Sequence, residues 1–364
     1  MKTLPRNAIL RGDAREVLAG LLPESVDCCV ASPPYANGLR SYGAGSGELG
    51  QEPNVGEYVA NLTEVLRLAR RVLKPTGSLW LNLGDSFSKH PRQGAPRGSL
   101  LLAPQRVALA LSEIGFVLRN VLIWQKPNSR PESVRDRLSQ TYEVVIFAAK
   151  TRRTFFDLDS LRIPHRSAHR AKPRASELGR LYQGGNEGLG KLKAEGRVGH
   201  PNGKNPGDVW TVPTATDRLG HQATFPEALI EPMILATCPE RICVQCDAPW
   251  TRPTRIVSRQ ISEGVRHTRE VGELRRCDCF APQRTGVTLD FFAGTGTTLA
   301  VAERLNRDWL GVELNPEYAD LAERRLAEQR KSRGDGRTPR RAEGSALPSA
   351  RRQSYPLTKG GAGQ

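Results

Sequence analysis

The sequence predicts an α/β fold, and three observations predict it. Short apolar runs bounded by turn residues read as buried strands at 26–31, 78–83, 287–289 and 309–312. Apolar residues recur at helical spacing over 57–73. A glycine-containing turn joins the strand at 287–289 to a helix at 297–305, an order that aims backbone N–H groups and a helix N-terminus at a ligand crevice. With 364 residues, the chain can form one large α/β domain with insertions, or two domains.

Taken in order, Gly12-Asp13 closes an opening strand. The run at 26–31 leads into Ser32-Pro33-Pro34-Tyr35, where two prolines each lock φ and fix the backbone beside an aromatic ring. By itself a Pro-Pro pair also suits a simple turn after a buried strand. The helix at 57–73 passes through Lys74-Pro75-Thr76-Gly77, read as a turn, into the strand at 78–83 and then Gly84-Asp85. Asp85 either faces a crevice at that strand's carboxyl end or closes a turn.

Near the other end, the strand at 287–289 runs into Asp290-Phe291-Phe292-Ala293-Gly294-Thr295-Gly296-Thr297-Thr298. Gly294 and Gly296 allow close approach of the backbone to a ligand. Glu313 ends the next strand, roughly 20 residues on, where an acid can take ribose hydroxyls. Strand, turn, helix, strand and acid in this register fit a nucleotide-like cofactor.

Of seven cysteines, Cys28 and Cys29 lie in the strand before Ser32 and read as core thiols. Cys243 and Cys246 form a CxxC pair, and Cys277 and Cys279 a CxC pair, so four thiolates can meet at one structural, tetrahedral zinc. Cys238 is adjacent and reads as a spare or a core residue. No signal peptide or apolar span is evident, which predicts reduced thiols, a cytoplasmic and nucleoid-associated location, and no membrane partner.

The formal net charge is +16, which predicts an anionic partner. Residues 151–210 are rich in Arg, Lys, Gly and Pro and interrupted by aromatics such as Phe155, Phe156, Tyr182 and Trp210, a composition suited to phosphate and base contacts or to a solvated insertion. Residues 331–364 are poor in apolar side chains and read as a disordered basic tail.

Ser32-Pro33-Pro34-Tyr35 resembles the catalytic tetrapeptide of DNA amino-methyltransferases, and the segment from Asp290 to Thr298 resembles their S-adenosylmethionine loop. Catalytic motif first and cofactor motif last resembles the permuted β group, over most of residues 7–330. The resemblance implies a Rossmann-like S-adenosylmethionine-dependent methyltransferase sheet in permuted order, with a target-recognition insertion and a small zinc-binding insertion. It divides the chain into a catalytic half (1–150), a target-recognition insertion (151–215), a cofactor-binding half (216–330) with the Cys-rich insertion at 238–282, and the tail (331–364). It assigns Ser32, Pro33, Pro34 and Tyr35 to catalysis. It assigns Asp13, His221, Thr224, Phe225, Asp290, Phe292, Gly294, Gly296, Thr297, Thr298 and Glu313 to the cofactor. Gly38-Leu39-Arg40 and the strands at 123–128 and 142–147 add to it. Phe291 departs from the family's usual Asp-Pro-Phe, which leaves the local turn open.

The implied chemistry suits these residues. An exocyclic amine has its lone pair delocalised into the ring. Ser32 and the Pro33 carbonyl can accept both amine protons and pyramidalise the nitrogen, while Tyr35 stacks on a base pulled out of the duplex. Serine in the first motif position leans towards the 4-amino nitrogen of cytosine within the family; the 6-amino nitrogen of adenine is the alternative, and RNA or protein substrates follow. Methylation at carbon 5 needs a cysteine nucleophile that typically follows proline, and the chain has no Pro-Cys pair. A zinc-bearing DNA-binding protein without catalysis is opposed by the two motifs and Glu313. The implied partners are double-stranded DNA and a cognate restriction endonuclease of a restriction–modification pair.

Overall fold

The computed structural model describes residues 3–37, 48–129, 131–164, 200, 202–214, 225–261, 264–272 and 277–334. His221, Thr224, the Gly38-Leu39-Arg40 segment, Tyr182 and residues 335–364 lie outside them.

The chain begins with β1 (Ala8–Arg11), α1 (Ala14–Gly20) and β2 (Val26–Ala31), then α2 (Val55–Val72) and β3 (Leu73–Leu83). Next come α3 (Ala103–Glu113), β4 (Val117–Gln125), β5 (Tyr142–Ala149) and β6 (Val209–Thr211). After α4 (Glu227–Thr237) a small module holds β7 (Ile242–Cys243), β8 (Thr254–Ile261), β9 (Gly264–Val271) and β10 (Gln283–Arg284). β11 (Val287–Asp290), α5 (Thr297–Arg304), β12 (Asp308–Glu313) and α6 (Pro316–Gly334) complete it.

Eight strands form one sheet in the order β1-β12-β11-β2-β3-β5-β4-β6. β5 pairs antiparallel with both β3 and β4, and the other neighbours are parallel. β2 is buried along its whole length, which is why it reads as a run of apolar residues broken only by Asp27 rather than as an alternating one. Cys29 and Ala31 face one core with Leu62, Leu66 and Val107 of α2 and α3. Cys28 and Val30 face a second core with Ile230, Ile234 and Val301 of α4 and α5. Both thiols are core groups, and burial pushes Cys28 up to about 12 and Cys29 well above its ordinary value.

α2 begins at Asn54, whose side chain accepts from the Glu57 N–H at 2.9 Å. Its buried stripe of Tyr58, Leu62, Val65, Leu66 and Ala69 recurs at three- and four-residue steps, so one face meets the sheet. Arg71 on its last turn donates to the Leu18, Ala19 and Leu21 carbonyls at the end of α1.

β11 passes through α5 to β12 on one side, while neighbouring β2 passes through α2 to β3 on the other. The carboxyl ends of β11 and β2 therefore flank the crevice that such a reversal opens. The module carrying β7 to β10 attaches at the opposite, amino end. There buried Asp27 of β2 meets Lys74 at 3.2 Å, Arg284 at 3.4 Å and the Val287 N–H at 2.9 Å, and Lys74 also meets Asp247 at 2.7 Å.

Three boundaries differ from the sequence reading. Lys74-Pro75-Thr76-Gly77 is a bulged part of β3 rather than a separate turn: Val26 pairs with Leu73 and Cys28 with Ser78. Val209–Thr211, inside the expected insertion at 151–215, is the edge strand β6, and Trp210 is a core residue. α6 continues to Gly334, past the expected start of the tail at 331. No helix among the described residues is long and apolar enough to cross a membrane.

Candidate active site

Ser32-Pro33-Pro34-Tyr35 leaves the carboxyl end of β2 and is pinned by its surroundings. The Tyr58 hydroxyl of α2 donates to the Pro34 carbonyl at 2.9 Å. The Tyr35 ring lies flat enough on Gly84 that a Cβ there would come within 2.6 Å of Cε2, so only glycine fits beneath it. The Tyr35 hydroxyl donates to Glu143 Oε2 at 2.6 Å. Asn82 Nδ2 donates to the same carboxylate oxygen at 2.9 Å and to the Tyr35 oxygen at 2.8 Å, and it lies 3.4 Å from Ser32 Oγ. Lys126 Nζ meets Glu143 Oε1 at 3.0 Å. Asn82 Oδ1 is buried and makes no hydrogen bond among the described residues.

This arrangement follows from strand polarity. β5 runs against its neighbours, so its first residues, Tyr142 and Glu143, arrive at the carboxyl end where β3 finishes. Asn82 pairs with Val145 and Leu83 with Val144, which leaves Glu143 beside Gly84 and Tyr35. Sequence reading placed 142–147 as a strand but missed Asn82, Lys126 and Glu143. The available signal was a charged residue opening an otherwise apolar strand.

The second motif folds at the carboxyl end of β11. Asp290 is fully buried; its Oδ1 accepts from the Phe292 N–H at 3.0 Å, and the Thr298 side chain also stabilises its carboxylate. Burial pushes the Asp290 carboxyl up to about 7. Phe291, in place of the family's proline, is buried in the sheet core, and its ring meets Phe292 edge-on at 5.2 Å, so the turn forms without proline.

The Gly294 N–H donates to Glu313 Oε2 at 2.7 Å and the Asn315 N–H to Glu313 Oε1 at 2.9 Å, tying the acid that ends β12 to the glycine turn. Burial raises the Glu313 carboxyl as well. The two glycines differ. A Cβ on Gly294 would meet nothing within 4 Å, whereas one on Gly296 would sit 2.8 Å from Ala322 Cβ of α6. Gly294 borders open space; Gly296 serves helix packing.

Thr297 Oγ1 accepts from Arg325 at 2.8 Å, and the buried Thr298 hydroxyl stabilises the Asp290 carboxylate. Asp13 caps α1 and pairs with Arg15 at 2.7 Å, and that guanidinium holds its carboxyl below the usual range. It stands next to Gly12, whose N–H donates to the Glu313 carbonyl at 2.9 Å, so it shares the crevice rim. Phe225 lies just before α4, packed on its core. Asp85 is a capping residue: its carboxylate accepts from the adjacent Ser86 N–H and from the Leu102 and Ala103 N–H groups at the start of α3, and burial raises its pKa.

The open space above Gly294, the buried Asp290 carboxyl and the anchored Glu313 fit a nucleoside-bearing, positively charged ligand. The Sγ atoms of Cys243, Cys246, Cys277 and Cys279 all lie within 4.8 Å of one another. Sulfurs around a tetrahedral zinc stand about 3.8 Å apart, given Zn–S bonds of ~2.3 Å, so this set fits one zinc with little movement.

Comparison with known proteins bears on the same residues. The N6_N4_Mtase family model, described as DNA methylase, matches residues 26–324. The type II methyltransferase M.SmaI of Serratia marcescens is 31% identical over 343 residues, covering 88% of this chain and 91% of that protein. M.Cfr9I of Citrobacter freundii is 30% identical, covering 87% of each. M.SfiI of Streptomyces fimbriatus reaches 42% identity over 48% of this chain and 43% of its own. The solved structure of PvuII DNA methyltransferase (cytosine-N4-specific) superposes with a TM-score of 0.54 at 19% identity, over 92% of this chain and 95% of that one, a likeness of fold. Because the family match spans both motifs and most of the sheet, the chain belongs to the N4/N6 DNA amino-methyltransferase family.

Proposed function

We propose that the chain transfers a methyl group from S-adenosylmethionine to the 4-amino nitrogen of cytosine in duplex DNA, with the target base flipped out of the helix. The observation that carries this reading is the placement of Ser32-Pro33-Pro34-Tyr35 at the carboxyl end of β2, directly beside β11 and its glycine turn. When bound, the cofactor supplies an electrophilic methyl on a sulfonium. Asp13, Asp290, Phe292, Gly294, Thr297, Thr298 and Glu313, with Phe225, His221 and Thr224, are the residues assigned to hold it.

The remaining chemistry belongs to the chain. Ser32 Oγ and the Pro33 carbonyl accept the two amine protons, which draws the nitrogen lone pair out of conjugation. Tyr35 offers a ring for the flipped base. Serine at the first motif position supports cytosine over adenine. The net charge of +16 supports a polyanionic substrate, and residues 151–215 are the proposed target-recognition region. The type II names of the relatives support a site-specific enzyme of a restriction–modification pair. The four cysteines hold a structural zinc, since all four ligand positions are taken by protein and none is left for substrate.

The test is digestion of DNA methylated by the purified enzyme, followed by mass spectrometry of its nucleosides. 4-Methylcytosine is the expected product; 6-methyladenine would reverse the base assignment. Ser32→Ala should slow turnover about 10- to 100-fold, matching the ~1–3 kcal/mol lost when a buried polar group loses its partner.

A further inference from the structure

Tyr35 makes more contacts than a stacking ring requires. Its hydroxyl is held by two groups from two other strands, Glu143 of β5 and Asn82 of β3. Glu143 is largely buried and its charge is met by Lys126, which follows β4. Residues of two strands thus meet on one phenolic oxygen at the crevice, and Lys126 backs the carboxylate, all of them residues that the sequence motifs do not include.

We infer that Glu143 is a positioning residue for methyl transfer: its carboxylate, directly and through Asn82, fixes the plane of the Tyr35 ring. The inference rests on the reading of Tyr35 as the base-stacking residue. A carboxylate can only accept, so Oε2 receives both the Tyr35 O–H and an Asn82 N–H. The Asn82 amide is thereby oriented, with its second N–H directed to the Tyr35 oxygen. Lys126 Nζ, 3.0 Å from Oε1, holds the carboxylate from its other side, and charge-assisted hydrogen bonds are the stronger kind. A tyrosine free to rotate about its side-chain bonds would have to be ordered each time a base enters. Here the ring is already set, with Gly84 beneath it and its hydroxyl tied down. This is a saving in the ordering cost of binding.

A double-mutant cycle on the full-length enzyme tests the inference, with single-turnover methylation rate, cofactor affinity by calorimetry and melting temperature as readouts. Glu143→Ala should slow methyl transfer about 10- to 100-fold while cofactor affinity stays within twofold. Tyr35→Phe, which removes only the hydroxyl, should cause a similar loss. In the Tyr35→Phe background Glu143→Ala should then cost less than threefold. Glu143→Gln, which keeps the volume and one acceptor oxygen, should recover part of the rate, and it takes the place of Glu143→Ala in the cycle if that variant does not fold.

A Tyr35→Phe enzyme at the wild-type rate overturns the inference. So does a Glu143 effect of equal size in both backgrounds, which is what a purely structural role gives. Tyr35→Ala separates the two layers. If it retains turnover, the reading of the site itself fails; if it loses turnover while the cycle is additive, only the role of Glu143 fails.

Discussion

Asp290 shows how one residue can be both legible and incompletely understood from sequence. Its position after an apolar strand marks it as the start of the glycine turn, but the strip of letters gives no sign that its carboxyl is fully enclosed. Burial raises its pKa to about 7, against about 3.9 in an unfolded chain. The folded state therefore binds a proton that the unfolded state releases. The resulting contribution to stability is fully present below about pH 4 and is lost as the pH rises to about 7. Asp290→Asn stays neutral throughout, so the stability of the wild type relative to this variant should fall between about pH 4 and pH 7. Urea denaturation of the ligand-free protein at the two pH values checks this; a constant difference would show that the carboxyl is not protonated in the fold.

At the scale of elements, strands were the most legible part. The run at 26–31 coincides with β2, and the helix expected at 297–305 is α5 over Thr297–Arg304, because long buried runs and a clean turn leave little ambiguity. Contacts between elements were less so. Lys74-Pro75-Thr76-Gly77 has turn composition, yet pairing on both flanks draws it into β3 as a bulge. β6 is three residues long inside a basic, aromatic stretch and is recognisable only once β4 offers it an edge. Glu143 is placed by the reversal of β5, a topological fact with no local signature.

The glycine turn teaches the same lesson. Gly294 and Gly296 look equivalent in sequence, and both have positive φ, +51° and +77°. Replacement by alanine costs each the left-handed strain of about 1 kcal/mol. Only Gly296→Ala adds a collision with Ala322 between α5 and α6, worth a further ~1–3 kcal/mol. Thermal denaturation should show Gly296→Ala melting several degrees below Gly294→Ala. Gly294→Val, by contrast, should weaken S-adenosylmethionine binding in calorimetry, since its side chain enters the open space. Equal melting temperatures for the two alanine variants would contradict the packing role of Gly296.

The whole molecule separates its chemistry from its cysteines. The two motifs meet at the carboxyl ends of β2 and β11, and the Cys module is fastened to the amino ends of the same strands. The fastening is ionic and substantially enclosed: Asp27 is 4% exposed, Lys74 is 6% exposed, and Asp247, which follows directly after Cys246, bridges Lys74 and Arg284. These cations hold the Asp247 carboxyl below its ordinary range despite burial. Under the proposed zinc assignment, removing the metal would free the Cys243–Cys246 turn, and with it the carboxylate that helps neutralise a buried lysine, a change that costs more than loss of an exposed ion pair would. Purified protein should carry about one zinc per chain. Stripping it with a chelator should lower the melting temperature, whereas S-adenosylmethionine affinity at a temperature where the stripped protein is still folded should stay within about twofold. Asp247→Asn should reproduce part of the thermal loss with the zinc retained. Elemental analysis and calorimetry on the same samples decide the matter: a loss of cofactor affinity in step with zinc, in protein that remains folded, would show that the two ends of the sheet are coupled rather than independent.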